Sequence, residues 1–227
     1  MPGRNIPLIT DQIYHVFNRG TYGQQVFINN RSYGRFLELL FYYQFSSIPL
    51  RYSRFLKLSR DQRESIYLNL LNKKDYIVRI HAFCLMPSHF HLLLQQIKNN
   101  GIAKFVGNIS NGYTRFLNVK NETYGPIFQG KFKAVLIESD EQYMHVTRYI
   151  HLNPYTSYIV KSTEDLLNYP YSSLPLFLND NNESKPLVHK QDILSYFKSI
   201  EDFKEFTLDQ KDYQKRLAAI KHLTLES

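Results

Sequence analysis

The chain has 227 residues, a formal net charge of +8 and a pI near 9.4. At 43% hydrophobic and 21% charged it holds enough apolar material for a packed core, which excludes global disorder. No apolar run reaches the roughly 18 residues of a membrane span, and the lone cysteine, Cys84, excludes an intrachain disulfide framework and points to a reducing cytoplasm.

The opening MPGRNIPLITDQIYHVF lacks the apolar core and small-residue cleavage site of a signal peptide, which agrees with that compartment. The basic balance suits a polyanionic partner. Nucleic acid fits better than a membrane, because no basic amphipathic helix stands out. The 18 Tyr and 16 Phe supply the core and surfaces on which bases can stack.

The segment QIYHVFNRG alternates and is rich in β-formers, which predicts a strand from about Ile13 to Asn18. RSYGRFLELLFYYQF follows as a helix, with Phe36, Leu39, Leu40 and Tyr43 at helical spacing. Residues 45–74 contain Pro49 and a helical patch, RDQRESIYLNLLNK, and read as an insertion between core elements. DYIVRIHAFCLM and HFHLLLQQI are two strands, and Pro87-Ser88 between them makes an antiparallel hairpin. NNGIAKFVGNISNGYTRFLNVKN is a helix with Ile102, Phe105, Val106, Ile109, Tyr113 and Phe116 on one stripe. GPIFQGKFKAVLIES is a fourth strand, kinked at Gly130. Ser139 caps DEQYMHVTRYIHLN, and Pro154 marks the end of that helix.

The order β-α-β-β-α-β plus one helix predicts an α+β fold of the ferredoxin-like, split βαβ kind. It is an antiparallel sheet with helices on one face, an extra C-terminal helix and a helical tail. After about Thr156 the chain changes character. YPYSSLPLFLNDNNESKP is turn-rich and polar, and DILSYFKSIEDFKEFTLDQKDYQKRLAAIKHL is helical again. This divides the chain into residues 1–175 and a C-terminal helical extension, 176–227.

Alternation along a strand points His89 and His91 to one face and Phe90, Leu92 and Leu94 to the other. Two imidazoles so placed can each offer a nitrogen to one divalent ion, or can be two surface histidines on an open sheet face. Tyr149 and Asn153 stand four apart on one helix face, with His145 near them and Val146 and Ile150 on the packed stripe. Either Asn153 offers an oxygen to a cation beside the Tyr149 hydroxyl, or Tyr149 is half-buried and Asn153 caps the helix before Pro154. His81 belongs to the strand before the turn and reads as structural.

CLMPSHFHLLL, then YGPIFQGKFKAVLIESDEQYMHVTRYIHLNP, then YPYSS, together with the opening DQIYHVFNRG, resemble the REP-associated tyrosine transposases. These belong to the single-tyrosine HUH transposase group, with the smallest bacterial insertion-sequence transposases. The resemblance runs from about residue 10 to about residue 175. It implies that His89 and His91 are metal ligands, that Tyr149 is the nucleophile and that Asn153 completes the metal site. Ser88 stands where the family more often has Asn or Glu, outside that ligand set. The resemblance does not cover the insertion or the tail.

It further implies transesterification of single-stranded DNA beside a hairpin through a covalent 5′-phosphotyrosine, with Mg²⁺ or Mn²⁺ as cofactor. Zinc is disfavoured, because a structural zinc site takes four protein ligands and Cys84 is the only thiol. Candidate DNA contacts are Arg19, Arg115, Lys131 and Lys133. The expected partner is hairpin or single-stranded DNA, with no membrane, in the bacterial cytoplasm at the nucleoid. Relatives act as monomers or as homodimers. Two other readings remain: a non-catalytic or domesticated hairpin-binding protein of the same fold, and a hydrolase that uses water as nucleophile.

Overall fold

In the computed structural model, which describes residues 7–179 and 186–209, the first alternating segment is strand β1, Ile13–Arg19. Helix α1 follows at Asn30–Tyr43, opened by a capping box between Asn29 and Ser32. The inserted segment folds as the short helix α2, Tyr52–Phe55, and as α3, Arg60–Lys73, which coincides with the predicted helical patch. It rests on α1 through aromatic contacts, with Tyr42 4.9 Å from Phe55 and Phe41 5.3 Å from Tyr67 between ring centres. Strands β2, Val78–Met86, and β3, His89–Gln96, join through Pro87-Ser88 as the two-residue turn predicted. Helix α4, Gly101–Asn121, buries the predicted stripe except that Phe116 is only partly covered.

The predicted fourth strand is much shorter than its sequence run. Only β4, Lys133–Leu136, pairs continuously with β1. Gly125 and Gly130 both take left-handed φ, 97° and 53°, so the chain turns twice before it can join the ladder. Gly20 and Phe128 then form an isolated bridge ahead of the strand.

The sheet order is β2-β3-β1-β4 with antiparallel neighbours throughout, as the split βαβ arrangement requires. One face packs Val16, Ile80, Phe90 and Leu92 against Phe36 and Leu40 of α1 and Phe105 and Ile109 of α4. The other face was expected to be open and is not. Helix α5, Asp140–Thr156, lies across it and buries Val146, Tyr149 and Ile150 with Ala82, Cys84 and Leu93. The short helices α6 (Thr163–Leu167), α7 (Leu174–Leu178) and α8 (Gln191–Leu194), and then α9 (Ile200–Leu208), close over α5 from outside and add Leu166, Phe177, Ile193 and Phe203 to the same cluster. The polar look of YPYSSLPLFLNDNNESKP conceals one of these anchors, Phe177. The rest of the predicted tail, from residue 210, lies outside the described residues.

Two further details differ from the sequence expectation. Helix α5 runs through Pro154 to Thr156. Proline in the last turn withholds only one N–H, and Ser157 N donates to Asn153 O at 3.0 Å to finish the helix. On β2 the register slips between Ile80 and Ala82, which makes His81 a bulge residue. There its Nδ1 is hydrogen-bonded to the Tyr143 hydroxyl on α5, the structural role expected of it. Among the described residues no helix is long and apolar enough to cross a membrane.

Gly101 opens α4 where the helix meets the strand layer, and a Cβ there would collide with the Ile77 carbonyl oxygen. Alanine ordinarily gains about 1 kcal/mol over glycine inside a helix. Here the sign reverses: Gly101→Ala is expected to cost on the order of 1–3 kcal/mol through overpacking. Urea unfolding checks it, and a raised midpoint would contradict this packing.

Candidate active site

The register of the sheet places the site residues in rows on the face under α5. Nearest the hairpin turn, Met86, His89 and Arg19 stand abreast; next come Cys84, His91, Phe17 and Lys133; then Ala82, Leu93, His15 and Val135. His89 and His91 therefore share a face, as strand alternation predicts. Their rings meet edge to face with centres 5.0 Å apart.

His15 was not singled out in the sequence. It sits diagonally across the ladder from His91, and its Nε2 is 2.9 Å from His91 Nδ1 in a fully buried hydrogen bond. The two rings stack at 5.1 Å. The only signal in the sequence is a polar residue inside the apolar alternation of YHVF. Its meaning depends on β1 lying beside β3, which no local pattern states.

Tyr149 reaches the same cluster from above. Its ring is edge-on to His91 at 5.4 Å and to His15 at 5.8 Å. The structure thus joins His89, His91 and Tyr149, and adds His15. Asn153, one turn along α5, is buried, and its Nδ2 donates to the Tyr149 carbonyl at 3.4 Å. It lies inside the helix and does not cap its end. His145 is turned to the outer side of α5, near Glu141 and Phe206. Cys84 is wholly buried beside Met86, and burial pushes its thiol pKa up, which makes it inert.

Burial sets the charge state of the cluster. The His89 pKa is lowered to about 4, first by desolvation and then by the Arg19 charge. That of His91 is held well below 6.5 by complete burial, then by His15 and His89. Both rings are therefore neutral near pH 7 and keep a lone pair. When His91 Nδ1–H donates to His15, the lone pair stands on His91 Nε2. That atom is buried and has no hydrogen-bond partner among the described residues. Ser88 Oγ lies 3.0 Å from His89 Nδ1, and when that nitrogen donates to the hydroxyl the His89 lone pair stands on Nε2 too. Such orientation by a second hydrogen bond is how proteins prepare imidazoles for metals. No three His, Cys, Asp or Glu side chains among the described residues converge on a metal-sized point. His89 and His91 are the two imidazoles that share this face beside Tyr149 and Asn153.

The four predicted DNA contacts separate. Arg19 and Lys133 stand on the site face. Arg19 Nε donates to Gln129 Oε1 at 2.7 Å, and Lys133 Nζ is 5.9 Å from the Phe17 ring centre. Lys131 is exposed in the loop after Gly130. Arg115 lies on α4, in the helical layer on the other side of the sheet.

Residues 41–153 match the sequence model of a family described as "Transposase IS200 like". That span takes in the hairpin and α5 as far as Asn153 and leaves out β1 with His15. Among solved structures, the chain is similar to a REP-associated tyrosine transposase bound to a REP hairpin. The TM-score is 0.55 at 14% identity, over 82% of this chain and 96% of that one, a likeness of fold. It is also similar to a structure described as a transposase candidate from Deinococcus radiodurans R1, with a TM-score of 0.33 at 15% identity over 66% of this chain and 95% of that one. No curated protein matches the chain.

Two predictions follow from this buried imidazole chemistry. His15→Ala strands His91 Nδ1 without its partner and should cost about 1–3 kcal/mol, whereas His15→Gln, whose amide can reach the same point, should recover part of it in thermal unfolding. The second concerns His81 and His151, whose folded pKa values are lowered to about 4 and about 3 by desolvation. The unfolded chain binds their protons first as the pH falls. Their contribution is therefore intact above about 6.5 and should be lost between there and about pH 3. A urea midpoint that stays flat from pH 7 to pH 4 would contradict this.

Proposed function

We infer that this chain, which belongs to the IS200-like transposase family, nicks and rejoins single-stranded DNA beside hairpins, with Tyr149 as nucleophile. The observation that carries this reading is the seating of the Tyr149 ring against His91, in a cluster whose imidazoles are held neutral. The fold-level likeness to a transposase bound to a hairpin supports the choice of DNA.

The chemistry follows from the residue types. The Tyr149 oxygen attacks phosphorus, an O–P bond forms to the 5′ side, and the bond to the 3′-oxygen breaks. The phenol gives up one proton and the departing 3′-oxygen takes one, so charge balances. The phosphotyrosine conserves the bond energy, and a second 3′-hydroxyl can reverse the step. With a reference pKa near 10, the phenol needs its developing charge offset.

His89 and His91 are the residues that would hold a divalent cation, with Asn153 able to contribute its amide oxygen. Mg²⁺ or Mn²⁺ so bound supplies Lewis-acid polarisation of a non-bridging phosphate oxygen. Nitrogen donors suit Mn²⁺ better than Mg²⁺. Arg19, beside His89 in the outermost row, supplies fixed positive charge where the cluster is least covered. His15 holds the His91 ring. The phosphate approaches from the His89 side, because His91 is only 1% exposed and Tyr149 9%.

That burial also favours one alternative, a hairpin-binding protein of the same fold that does not cleave. The two differ in a denaturing gel after incubation with end-labelled hairpin DNA, carrying an unpaired flank, and Mn²⁺. The nicking reading expects a covalent protein–DNA adduct that Tyr149→Phe abolishes. It also expects His89→Ala or His91→Ala to reduce the adduct at least about 100-fold while hairpin binding persists. Adduct formation by Tyr149→Phe would remove the nucleophile assignment. Binding without adduct under either metal would leave the non-cleaving protein.

A further inference from the structure

Three tyrosines put nearly their whole rings into solvent: Tyr22 and Tyr124 are fully exposed and Tyr158 is 86% exposed. They come from three separate parts of the chain and emerge at one end of the molecule. Tyr22 and Tyr124 lie on neighbouring loops, tied together where Thr21 N donates to Ile127 O at 2.8 Å and Gly20 pairs with Phe128. Helix α5 runs in the direction of β2, because Tyr143 meets His81 whereas Tyr149 meets His91, the partner of Cys84 further along that strand. Tyr158, just past the helix end, is therefore carried to the end where the row of Met86, His89 and Arg19 lies. All three rings thus stand at the hairpin-turn end, Tyr124 beside the α4 surface that carries Arg115 and Tyr158 on the α5 side.

Two of these residues occupy backbone positions ill suited to their type. Tyr22 has φ 56° and Tyr158 has φ 58°, the left-handed region where glycine or asparagine sits at less cost. The loops are nonetheless well fixed. Gly20 N donates to Ser88 O at 2.7 Å, and a Cβ on Gly20 would collide with the Gln24 carbonyl oxygen. Asn118 Nδ2 donates to the Gly125 carbonyl at 2.9 Å, which anchors the turn behind Tyr124. Arg19, held by Gln129, and the exposed Lys131 put positive charge between the loops. A loop that needed only to turn would gain nothing from an aromatic ring at its tip. Rings fixed in water beside basic side chains are the elements of a single-strand binding platform, where faces stack on bases and cations meet the backbone.

The geometry points to Tyr22, Tyr124 and Tyr158 as stacking platforms for unpaired nucleotides that pass over the hairpin-turn end of the molecule. The assignment rests on the nucleic-acid reading above and adds the residues that take the bases. It is tested by binding alone, with the full chain in EDTA, so that cleavage plays no part. The probes are a short unstructured DNA oligonucleotide and a blunt hairpin without unpaired ends, read by fluorescence anisotropy over a salt series.

Tyr22→Ala, Tyr124→Ala and Tyr158→Ala should each weaken oligonucleotide binding by roughly 5- to 100-fold. The salt slope should not change, since no phosphate contact is lost. Blunt-hairpin affinity and thermal unfolding should also hold, and the three Phe variants should bind as the wild type does, because stacking needs the ring and not the hydroxyl. Unchanged oligonucleotide affinity in the triple Ala variant overturns the platform while leaving the nucleic-acid reading in place. Equal losses in the Phe variants also overturn it. A wild-type chain that binds neither probe removes both.

Discussion

Helix α5 is held between two apolar layers, and the site exists because of that. Its inner side lies on Ala82, Cys84 and Leu93 of the sheet, and its outer side is covered by Phe177 and Phe203 from the C-terminal helices. His151 is hydrogen-bonded to Ser173 at 2.8 Å, and the Arg148 guanidinium lies 3.7 Å over the Phe206 ring, so the helix is fixed by directional contacts as well as by area. A helix so confined cannot rotate without exposing apolar surface or stranding buried polar groups. The Tyr149 ring is therefore delivered to one place, edge-on to His91 and His15.

The same confinement explains the electrostatics. An imidazole removed from water resists protonation, and at His91 the neighbouring His15 and His89 oppose its charge further. The His15–His91 hydrogen bond resolves this within the protein, since one ring donates and the other accepts without any ion being formed. Where His91 is the donor, an uncharged, oriented lone pair is left on its Nε2. Charge is supplied instead at the rim, by Arg19 and Lys133, where water can still solvate it. Neutral donors inside and fixed cations at the edge form a gradient suited to an anionic strand end approaching from outside.

The helices on the far face play a different part. Helices α1 and α4 and the aromatic contacts of the insertion give the sheet its rigid backing, and Arg115 belongs to that layer and not to the site. Gly101, pressed against the Ile77 carbonyl, shows how closely that backing fits. A sheet with both faces covered leaves only its ends for a substrate, and the hairpin-turn end is where His89, Arg19 and the exposed tyrosines gather.

Much of this was legible in the chain itself. Period-two and period-3.6 patterning locates β1 to β3, α1, α4 and α5, and Ser139 and the Pro87-Ser88 turn mark boundaries by local chemistry. The face shared by His89 and His91, and the turn that links Tyr149 to Asn153, are also local geometry, readable at a separation of two or four residues. The rest depends on contacts between distant segments. His15 acquires its role only because β1 pairs with β3. β4 is cut short by the left-handed φ of Gly125 and Gly130, a backbone fact that composition only hints at. The supposedly open face is closed by Phe177, Ile193 and Phe203, apolar residues scattered through polar sequence whose destination is decided by what they meet. Strand and helix periods encode which way a side chain points. What it points at is set by tertiary packing, and at this site that difference separates two surface histidines from a buried, neutral, hydrogen-bonded cluster under a tyrosine.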